Sequence, residues 1–445
     1  MRNAWPLLFL AACLSNERTS ITSPLEHRLR GDRSGACVAL ALIADGKSER
    51  GTVCAGEPRP FDADTAFEIG SISKTMTGFV IATLIAEGKL ALNDPIELYL
   101  PAGTKVPRHG EQPIRIEHLL SHSAGLPPLP SRMMPRDGND PYADLSEQQL
   151  FDSLADVQLS EPPGTSWAYS NYGYMLLSYI ASTLGGADLE VLLRERLFRP
   201  LGMHAFVAQR PAGVHDAQGH LALGIATAPW TFPAKLSGLG GVHATLDDMI
   251  RYAEAALGTG DPGVVATIKR TSEIIRQTDD GPAMGMGWIR QQEASHVLLL
   301  HDGGTGGFSS IIVIDPESGR AVVALSDTAL TNTGGLSELA AHVLFPDEVP
   351  LDLPRKLATP NPELLTELQG RYALDELGIT LVVRDGSLFM QPEGQPELQL
   401  GYDSYGDFYP TTLIDAVLTP VRKDGAPITF DWKQGGGMVR AVRLP

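Results

Sequence analysis

The chain has 445 residues, of which 43% are hydrophobic and 7% aromatic, a composition typical of a globular protein with a sizeable core. Its formal net charge of -18 at pH 7 predicts a surface that repels phosphate backbones, so nucleic acid is not expected as a partner. No apolar run approaches the roughly 20 residues that span a bilayer, and the sequence has no internal repeat. The length is sufficient for two or three domains.

The first residues are typical of an export signal. Arg2 gives a short positive region, residues 5–12 are apolar, and Leu10-Ala11-Ala12-Cys13 resembles the lipobox of bacterial lipoproteins. In this interpretation residues 1–12 are a signal peptide, Cys13 is lipidated, and residues 13–30 form a polar tether. The alternatives are an ordinary secretory signal or a wrongly assigned start. We therefore expect a periplasmic protein that touches the membrane only through a lipid anchor.

Two further cysteines flank a strong turn signal. Asp45-Gly46 is a dipeptide preferred in two-residue hairpin turns, and it separates candidate strands over 36–44 and 47–55. Counting outward from this turn places Cys37 opposite Cys54. The pattern allows a cross-strand disulfide in an oxidising compartment, or two small buried thiols.

A helical pattern that begins at Ser71 follows this hairpin. Gly70 allows a sharp turn, and apolar residues then recur at helical spacing, so one face is expected to be buried. Ser71 and Lys74 lie one turn apart on such a helix, near the end where free N–H groups favour negative charge. A lysine kept from water loses its proton more readily and can activate a hydroxyl. The S-x-x-K spacing is that of serine acyl-transfer enzymes.

Two later stretches carry polar residues at the end of a loop and of a strand. Tyr169-Ser170-Asn171 follows a Pro-Pro-Gly turn and precedes an apolar helix predicted over 172–184, which fixes the loop. A strand predicted over 296–301 ends in His301-Asp302-Gly303. Taken alone, Tyr169 fits a core aromatic and His301 a satisfied strand histidine. Their occurrence in order after the S-x-x-K stretch indicates one site.

No cluster in the sequence is typical of a metal site. His118 and His122 are four residues apart, but no third ligand accompanies them, and the neighbouring turn residues predict a loop. We expect neither a metal nor a cofactor.

The end of the chain has the pattern of a separate domain. Residues 347–362 are rich in proline and polar residues, as in a linker. Short alternating strands around turn signals follow, so 363–445 is predicted as a small all-β domain. The catalytic motifs all lie within residues 31–346, which we predict as the main domain.

The three motifs, Ser71-Ile72-Ser73-Lys74, Tyr169-Ser170-Asn171 and His301-Asp302-Gly303, together resemble the serine β-lactamase and penicillin-binding protein family. The closest branch is the class C β-lactamase-like group, which includes D-peptidases and esterases. The resemblance covers residues 35–345 and extends to LLSHSAGLP at 119–127. It implies an α/β (α+β) fold with a central antiparallel sheet flanked by helices and a helical subdomain. The terminal domain is similar to the lipocalin-like domain of some members.

The resemblance also implies roles for the site residues. Ser71 would attack a carbonyl and form an acyl-enzyme, and Lys74, with a depressed pKa, would share the proton. Tyr169 would act as phenolate or relay, and Asn171 would bind a substrate amide and hold Lys74 in place. The N–H groups of Ser71 and Gly304 would form the oxyanion hole.

The position of His301 resembles that of the lysine in the K-T-G motif of the class C β-lactamases, and the histidine is a departure from that motif. A lysine there is a permanent cation, whereas histidine is mostly neutral at pH 7, so anchoring of a substrate carboxylate is weakened. Asp302 beside it is expected to raise the His301 pKa and restore part of the charge. Gly303 and Gly304 are expected to let an edge strand approach the substrate closely.

The residues thus predict a serine hydrolase that acts on amide bonds of D-amino-acid or peptidoglycan-type peptides, with β-lactams as further substrates. One alternative is a small-ester esterase with the same residues. Another is a penicillin-binding sensor or scaffold that acylates without turnover. The expected partners are peptide or small-molecule substrates and cell-wall material, and the loop over 127–145 is expected at the rim of the cleft.

Overall fold

The computed structural model describes residues 21–29, 35–59, 61–221, 224–293, 295–330, 336–351, 357–374, 377–411, 416–422, 427–434 and 437–444. Its α-helices, in chain order, are α1 (Thr22–Leu29), α2 (Ser73–Ala86), α3 (Ile116–Leu120), α4 (Glu147–Leu154), α5 (Asn171–Gly185), α6 (Leu189–Leu193), α7 (Arg199–Leu201), α8 (Leu246–Ala256), α9 (Pro262–Thr271), α10 (Ser337–Leu344) and α11 (Pro362–Leu368).

The strands are β1 (Cys37–Ala44), β2 (Lys47–Cys54), β3 (Thr65–Glu68), β4 (Arg108–His109), β5 (Gln112–Pro113), β6 (His215–Asp216), β7 (Gly219–His220), β8 (Ala226–Thr227), β9 (His243–Thr245), β10 (Ala283–Met284), β11 (Ile289–Glu293), β12 (His296–Gly304), β13 (Ser309–Asp315), β14 (Arg320–Ser326), β15 (Gly370–Leu374), β16 (Leu377–Arg384), β17 (Ser387–Pro392), β18 (Leu398–Tyr402), β19 (Phe408–Pro410), β20 (Ala416–Val421), β21 (Thr429–Gln434), β22 (Gly437–Arg440) and β23 (Val442–Arg443). Single turns of 3-10 helix cover Gly70–Ile72, Ile96–Tyr99 and Ser237–Leu239, and a π-helical turn covers Arg194–Phe198.

A seven-stranded antiparallel sheet organises the first domain, in the order β10-β11-β12-β13-β14-β1-β2. The predicted hairpin is observed, and β1 also pairs with β14, so the start and the end of the domain lie side by side. This arrangement confirms the predicted α/β (α+β) fold with a central antiparallel sheet.

Both faces of this sheet are buried, as the alternation along β13 illustrates. Ile312 and Ile314 pack into the large core that includes α2 and α5, whereas Ile311 and Val313 pack on the opposite face with α1 and α10. A strand buried on both sides is apolar throughout, which explains the run SSIIVID. In the described part of the chain no single helix is long and apolar enough to cross a membrane.

Part of the stretch expected to be a tether is a helix. Within α1, Leu25 and Leu29 are buried and face the sheet, four residues apart on one side of the helix. The i, i+4 spacing of these leucines is the sequence signal for an amphipathic helix, but most residues around them are polar and favoured the prediction of a tether. Cys13, the signal peptide 1–12 and the rest of the predicted tether lie outside the described residues.

The structure joins Cys37 and Cys54 in a disulfide. The two residues are directly opposite each other in the β1–β2 ladder, in the register counted from the Asp45-Gly46 turn. Asp45 and Gly46 both have positive φ, as a tight hairpin turn of this kind requires.

The C-terminal domain is a nine-stranded antiparallel sheet that curls into a nearly closed barrel. Its strand order begins with β22 and ends with β23, although only Ala441 separates these two strands in the chain. Strands joined so directly cannot lie far apart, so the two edges of the sheet meet. Buried side chains such as Tyr372, Phe408 and Phe430 fill a core of its own. The prediction of an all-β domain is confirmed.

Candidate active site

Ser71 lies in the 3-10 turn Gly70–Ile72 that precedes α2, so the α-helix begins at Ser73 rather than at Ser71 as predicted. Gly70 has a φ of +50°, and a Cβ built on it would lie 2.6 Å from the main-chain nitrogen of Gly304. A side chain at this position would therefore both strain the backbone and separate the turn from β12. The sequence needs glycine here to bring Ser71 against the sheet.

Lys74 is fully buried, with its Nζ 2.8 Å from Ser71 Oγ and 2.6 Å from the carbonyl oxygen of Leu239. Burial lowers the pKa of Lys74 well below its usual value, and the Asp302 carboxylate opposes this shift only in part. A neutral Lys74 amine can donate to the Leu239 carbonyl and accept the Ser71 proton with its lone pair. The geometry therefore suits Lys74 as the base.

Tyr169 is hydrogen-bonded to Ser71, and its ring centroid lies 4.9 Å from Lys74 Nζ. Burial raises the pKa of the Tyr169 hydroxyl strongly, against the lowering effect of the Ser71 hydrogen bond. The phenol is therefore neutral in this structure. Of the two expected roles, phenolate or relay, the structure favours the relay, because ionising a buried phenol is costly.

His122 fixes the Tyr169 loop and was missed as a site residue. Its ring stacks on Tyr169 at 4.3 Å between centroids, its Nδ1 accepts the Ser170 N–H at 3.0 Å, and its carbonyl accepts the Ala168 N–H at 2.8 Å. Three contacts thus hold three consecutive residues. Burial lowers the pKa of His122 well below its usual value, which keeps Nδ1 free to accept. In the sequence, His122 was weighed only as a metal ligand.

Asn171 begins α5, and its amide nitrogen lies 3.5 Å from the Tyr142 hydroxyl. Its Oδ1 is buried without a hydrogen-bond partner in the described structure. Since Asn171 Oδ1 accepts no hydrogen bond, the expected contact of Asn171 with Lys74 is not formed. Tyr142 comes from the loop over 127–145 and stacks on Phe232 at 5.0 Å, which brings that loop to the site.

The end of β12 supplies the other wall of the site. β12 is not an edge strand of the sheet as expected, because β10 and β11 lie beyond it. The β11 register, however, ends where Ile289 opposes Leu300, so residues 301–304 extend past β11 and approach Gly70. A Cβ on Gly303 would overlap the Ile69 carbonyl oxygen and Ser310 Oγ. This close approach brings the Gly304 main chain beside the residue that precedes Ser71.

His301 is buried, and its Nδ1 donates to the Asp302 carbonyl oxygen at 2.6 Å. Burial lowers the His301 pKa to about 4, and the Asp302 carboxylate, although it acts in the expected direction, does not overcome this. His301 is therefore neutral at pH 7, with Nε2 as an acceptor that has no partner within the described ranges. The expectation that Asp302 restores part of the positive charge is wrong, because desolvation dominates.

Acid is expected to destabilise the protein through its buried histidines. His118 and His301 both have folded pKa values of about 4, compared with about 6.5 when unfolded, so the unfolded chain binds more protons as the pH falls through this window. The free energy of unfolding is highest above pH 6.5, where both histidines are neutral in the folded and the unfolded chain. Lowering the pH to 5 should reduce it by roughly 1–2 kcal/mol for each histidine.

Denaturant unfolding at pH 8 and pH 5 measures this loss. His118→Gln keeps an acceptor for the Arg115 N–H, which His118 Nδ1 accepts at 3.1 Å, but cannot titrate. This variant should lose less stability than the wild type between the two pH values. An equal loss in both would exclude His118 as a source.

The chain matches known proteins over most of its length. A family model described as Beta-lactamase matches residues 24–344. The D-alanyl-D-alanine-carboxypeptidase/endopeptidase AmpH of Escherichia coli (strain K12) is 26% identical over 340 residues, which are 68% of this chain and 83% of that protein. Esterase EstB of Burkholderia gladioli is 26% identical over 326 residues, 62% of this chain and 81% of the esterase.

One solved structure extends the match to the C-terminal barrel. The octameric penicillin-binding protein homologue from Pyrococcus abyssi aligns with a TM-score of 0.61 and 20% identity, covering 95% of this chain and 98% of that chain. At this identity the likeness shows the fold alone.

The fold and the family match together define a serine hydrolase of the β-lactamase/DD-peptidase class. The chain belongs to the β-lactamase family, and the resemblance seen in its sequence motifs is confirmed.

Proposed function

We propose that the protein hydrolyses amide bonds in D-amino-acid or peptidoglycan-type peptides through an acyl-enzyme on Ser71. The observation that carries this proposal is the buried Lys74 amine, 2.8 Å from Ser71 Oγ and held by the Leu239 carbonyl. The relative AmpH is named as a D-alanyl-D-alanine carboxypeptidase and endopeptidase, which supports the peptide class.

In the proposed reaction, Ser71 Oγ attacks the substrate carbonyl carbon while its proton passes to Lys74. The N–H groups of Ser71 and Gly304 stabilise the oxyanion, and removing one such donor typically costs about 2.7–4 kcal/mol. Tyr169 delivers a proton to the leaving nitrogen as the C–N bond breaks, and the proton that Lys74 took from Ser71 passes to Tyr169 in its place. Water then attacks the ester, gives a proton to the same relay, and releases the acid and free Ser71.

Two alternatives use the same residues. A small-ester esterase is favoured by the neutral His301 and by the similarity to Esterase EstB. A penicillin-binding sensor would acylate at Ser71 and retain the adduct. Slow β-lactam turnover is compatible with the peptidase proposal, because β-lactams acylate the same hydroxyl.

The cellular setting is part of the proposal. The lipobox-like Leu10-Ala11-Ala12-Cys13 supports export to the periplasm, with a lipid on Cys13 as the membrane anchor. Peptidoglycan lies in that compartment, so the barrel at the C-terminus is available for contact with cell-wall material.

The intact mass of the protein after mixing with a penicillin tests the acyl-enzyme, with Ser71→Ala measured beside it. A lasting adduct on the wild type alone supports a peptidase or a sensor, and hydrolysis of a D-Ala-D-Ala peptide, with its C-terminus either free or amidated, separates these two. A transient adduct with drug hydrolysis identifies a working β-lactamase. If neither penicillin, peptide nor p-nitrophenyl acetate reacts at Ser71, the proposed function is wrong.

A further inference from the structure

Asp302 gives the site an unpaired negative charge. It lies on β12 between His301 and Gly303 and is exposed to solvent. Its carboxylate is close enough to act electrostatically on Lys74, Tyr169 and His301. In the described structure this carboxylate has neither an ion-pair partner nor a hydrogen-bond donor. Lys74 and Tyr169 are both hydrogen-bonded to Ser71, so a substrate bound at Ser71 is exposed to the field of the Asp302 carboxylate.

The site has no described cation to balance Asp302. Lys74 is buried behind Ser71, and burial favours its neutral amine. No arginine and no second lysine of the described residues contributes to the pKa shifts of Lys74, Tyr169 or His301. Arg276, which acts on His118, is engaged by Glu117 and the Gly164 carbonyl. A carboxylate on a substrate would therefore meet repulsion from Asp302 without compensation.

The hydrogen-bonding character of this wall agrees with its charge. The exposed Asp302 carboxylate can only accept hydrogen bonds, and the buried His301 Nε2 beside it is also an acceptor, because Nδ1 donates its proton to the Asp302 carbonyl. Acceptors pair with N–H or ammonium groups of a substrate. They cannot pair with a carboxylate, which has no proton to donate at neutral pH.

From these observations we infer that Asp302 is a specificity-determining residue that excludes substrates with a free carboxylate next to the scissile bond. The favoured substrates are peptides that continue beyond that bond or end in an amide, and substrates with an ammonium group. The enzyme then acts within a peptide chain or on amides rather than by removing a terminal D-amino acid. This inference rests on the proposed function.

A matched pair of substrates tests the inference with the full-length enzyme. Both are N-acyl-D-Ala-D-Ala peptides, one with a free C-terminal carboxylate and one with a C-terminal amide. The wild type should prefer the amide in kcat/KM by about tenfold or more, as expected for one unit charge a few ångströms away. Because this preference is electrostatic, it should shrink at 1 M salt, where the screening length is about 3 Å.

Asp302→Asn keeps the size of the side chain and removes its charge. We expect this variant to gain activity on the carboxylate peptide relative to the amide peptide, so that the preference falls toward one; the ratio is compared because removing a charge near Lys74 and Tyr169 can change the rate on both peptides alike. Glu317→Gln removes the same charge from the exposed turn between β13 and β14 and should keep the wild-type preference. This control separates a local effect from a change in net charge.

The outcomes distinguish a failure of the role inferred for Asp302 from a failure of the proposed function. If the wild type cleaves both peptides but prefers the carboxylate, or if Asp302→Asn leaves the preference unchanged, the role of Asp302 is overturned and the serine hydrolase stands. If the wild type cleaves neither peptide and forms no adduct on Ser71 with p-nitrophenyl acetate, the proposed function fails and the inference fails with it.

Discussion

Replacing Lys74 by arginine is expected to lower the rate of Ser71 acylation by roughly 10³–10⁴-fold, the upper range for loss of a general base. Arginine remains protonated at any working pH, so it cannot accept the Ser71 proton. The measurement is the acylation rate with a penicillin or an activated ester under single-turnover conditions. Lys74→Met, of similar length and without charge, should lose the same activity and guards against a folding defect from a buried guanidinium.

The pH profile of the wild type provides a second readout for Lys74. Because burial lowers the pKa of Lys74, the neutral amine forms at a pH well below 10.5. Acylation should therefore increase with pH through this lowered pKa and reach a plateau well before pH 10.5.

The control for Lys74→Arg is Lys89→Arg, at an exposed position just beyond α2, which should retain full activity. Retention of more than a tenth of the activity in Lys74→Arg would contradict the role of Lys74 as base.

Replacing Gly303 by alanine is expected to damage both stability and catalysis. The added methyl group would overlap the Ile69 carbonyl oxygen and Ser310 Oγ, two groups already joined by a 2.8 Å hydrogen bond. Such overpacking costs about 1–3 kcal/mol, and moving β12 away from the Ser71 turn should lower kcat by about 10²–10³-fold, as for a lost oxyanion donor. Denaturant unfolding and steady-state kinetics measure the two effects.

The control for this variant is Gly138→Ala, which adds the same methyl group where nothing lies within 4 Å. It should change neither stability nor kcat appreciably. Normal kcat in Gly303→Ala would mean that the end of β12 can move without affecting the oxyanion hole, and the position of Gly304 would lose its assigned role.

The parts of the site that could be predicted are those encoded by local spacing. The Ser71–Lys74 pair follows from one helical turn, and the Cys37–Cys54 register follows from counting across a two-residue turn. The position of Tyr169 before a buried helix also follows from local signals, the Pro-Pro-Gly turn before it and the apolar helical pattern after it. In each case the interacting groups are close in sequence or fixed by one turn, so the pattern carries the geometry.

The missed features depend on contacts between distant segments. Lys74 is held by the carbonyl of Leu239, a main-chain group that has no sequence signature. His122 contacts Ser170 in the Tyr169 loop, 48 residues later in the chain. Its backbone has a φ of +56°, which a histidine in the sequence does not predict. The protonation of His301 depends on burial by the assembled fold, whereas the sequence showed only its acidic neighbour. Such properties require the tertiary structure.

The pairing of β1 with β14 has a consequence for how the protein is made. Cys37 and its hydrogen-bond acceptor Asp327 are 290 residues apart, so the sheet cannot be completed until the chain has been synthesised nearly to the end of the first domain. Contacts of such large sequence separation slow folding, because the intervening chain must first be brought together. The Ser71 turn, although it emerges early, becomes competent only when β12 arrives. A nascent chain that ends before β12 therefore carries Ser71 without the opposite wall of the site, and we expect it to be inactive.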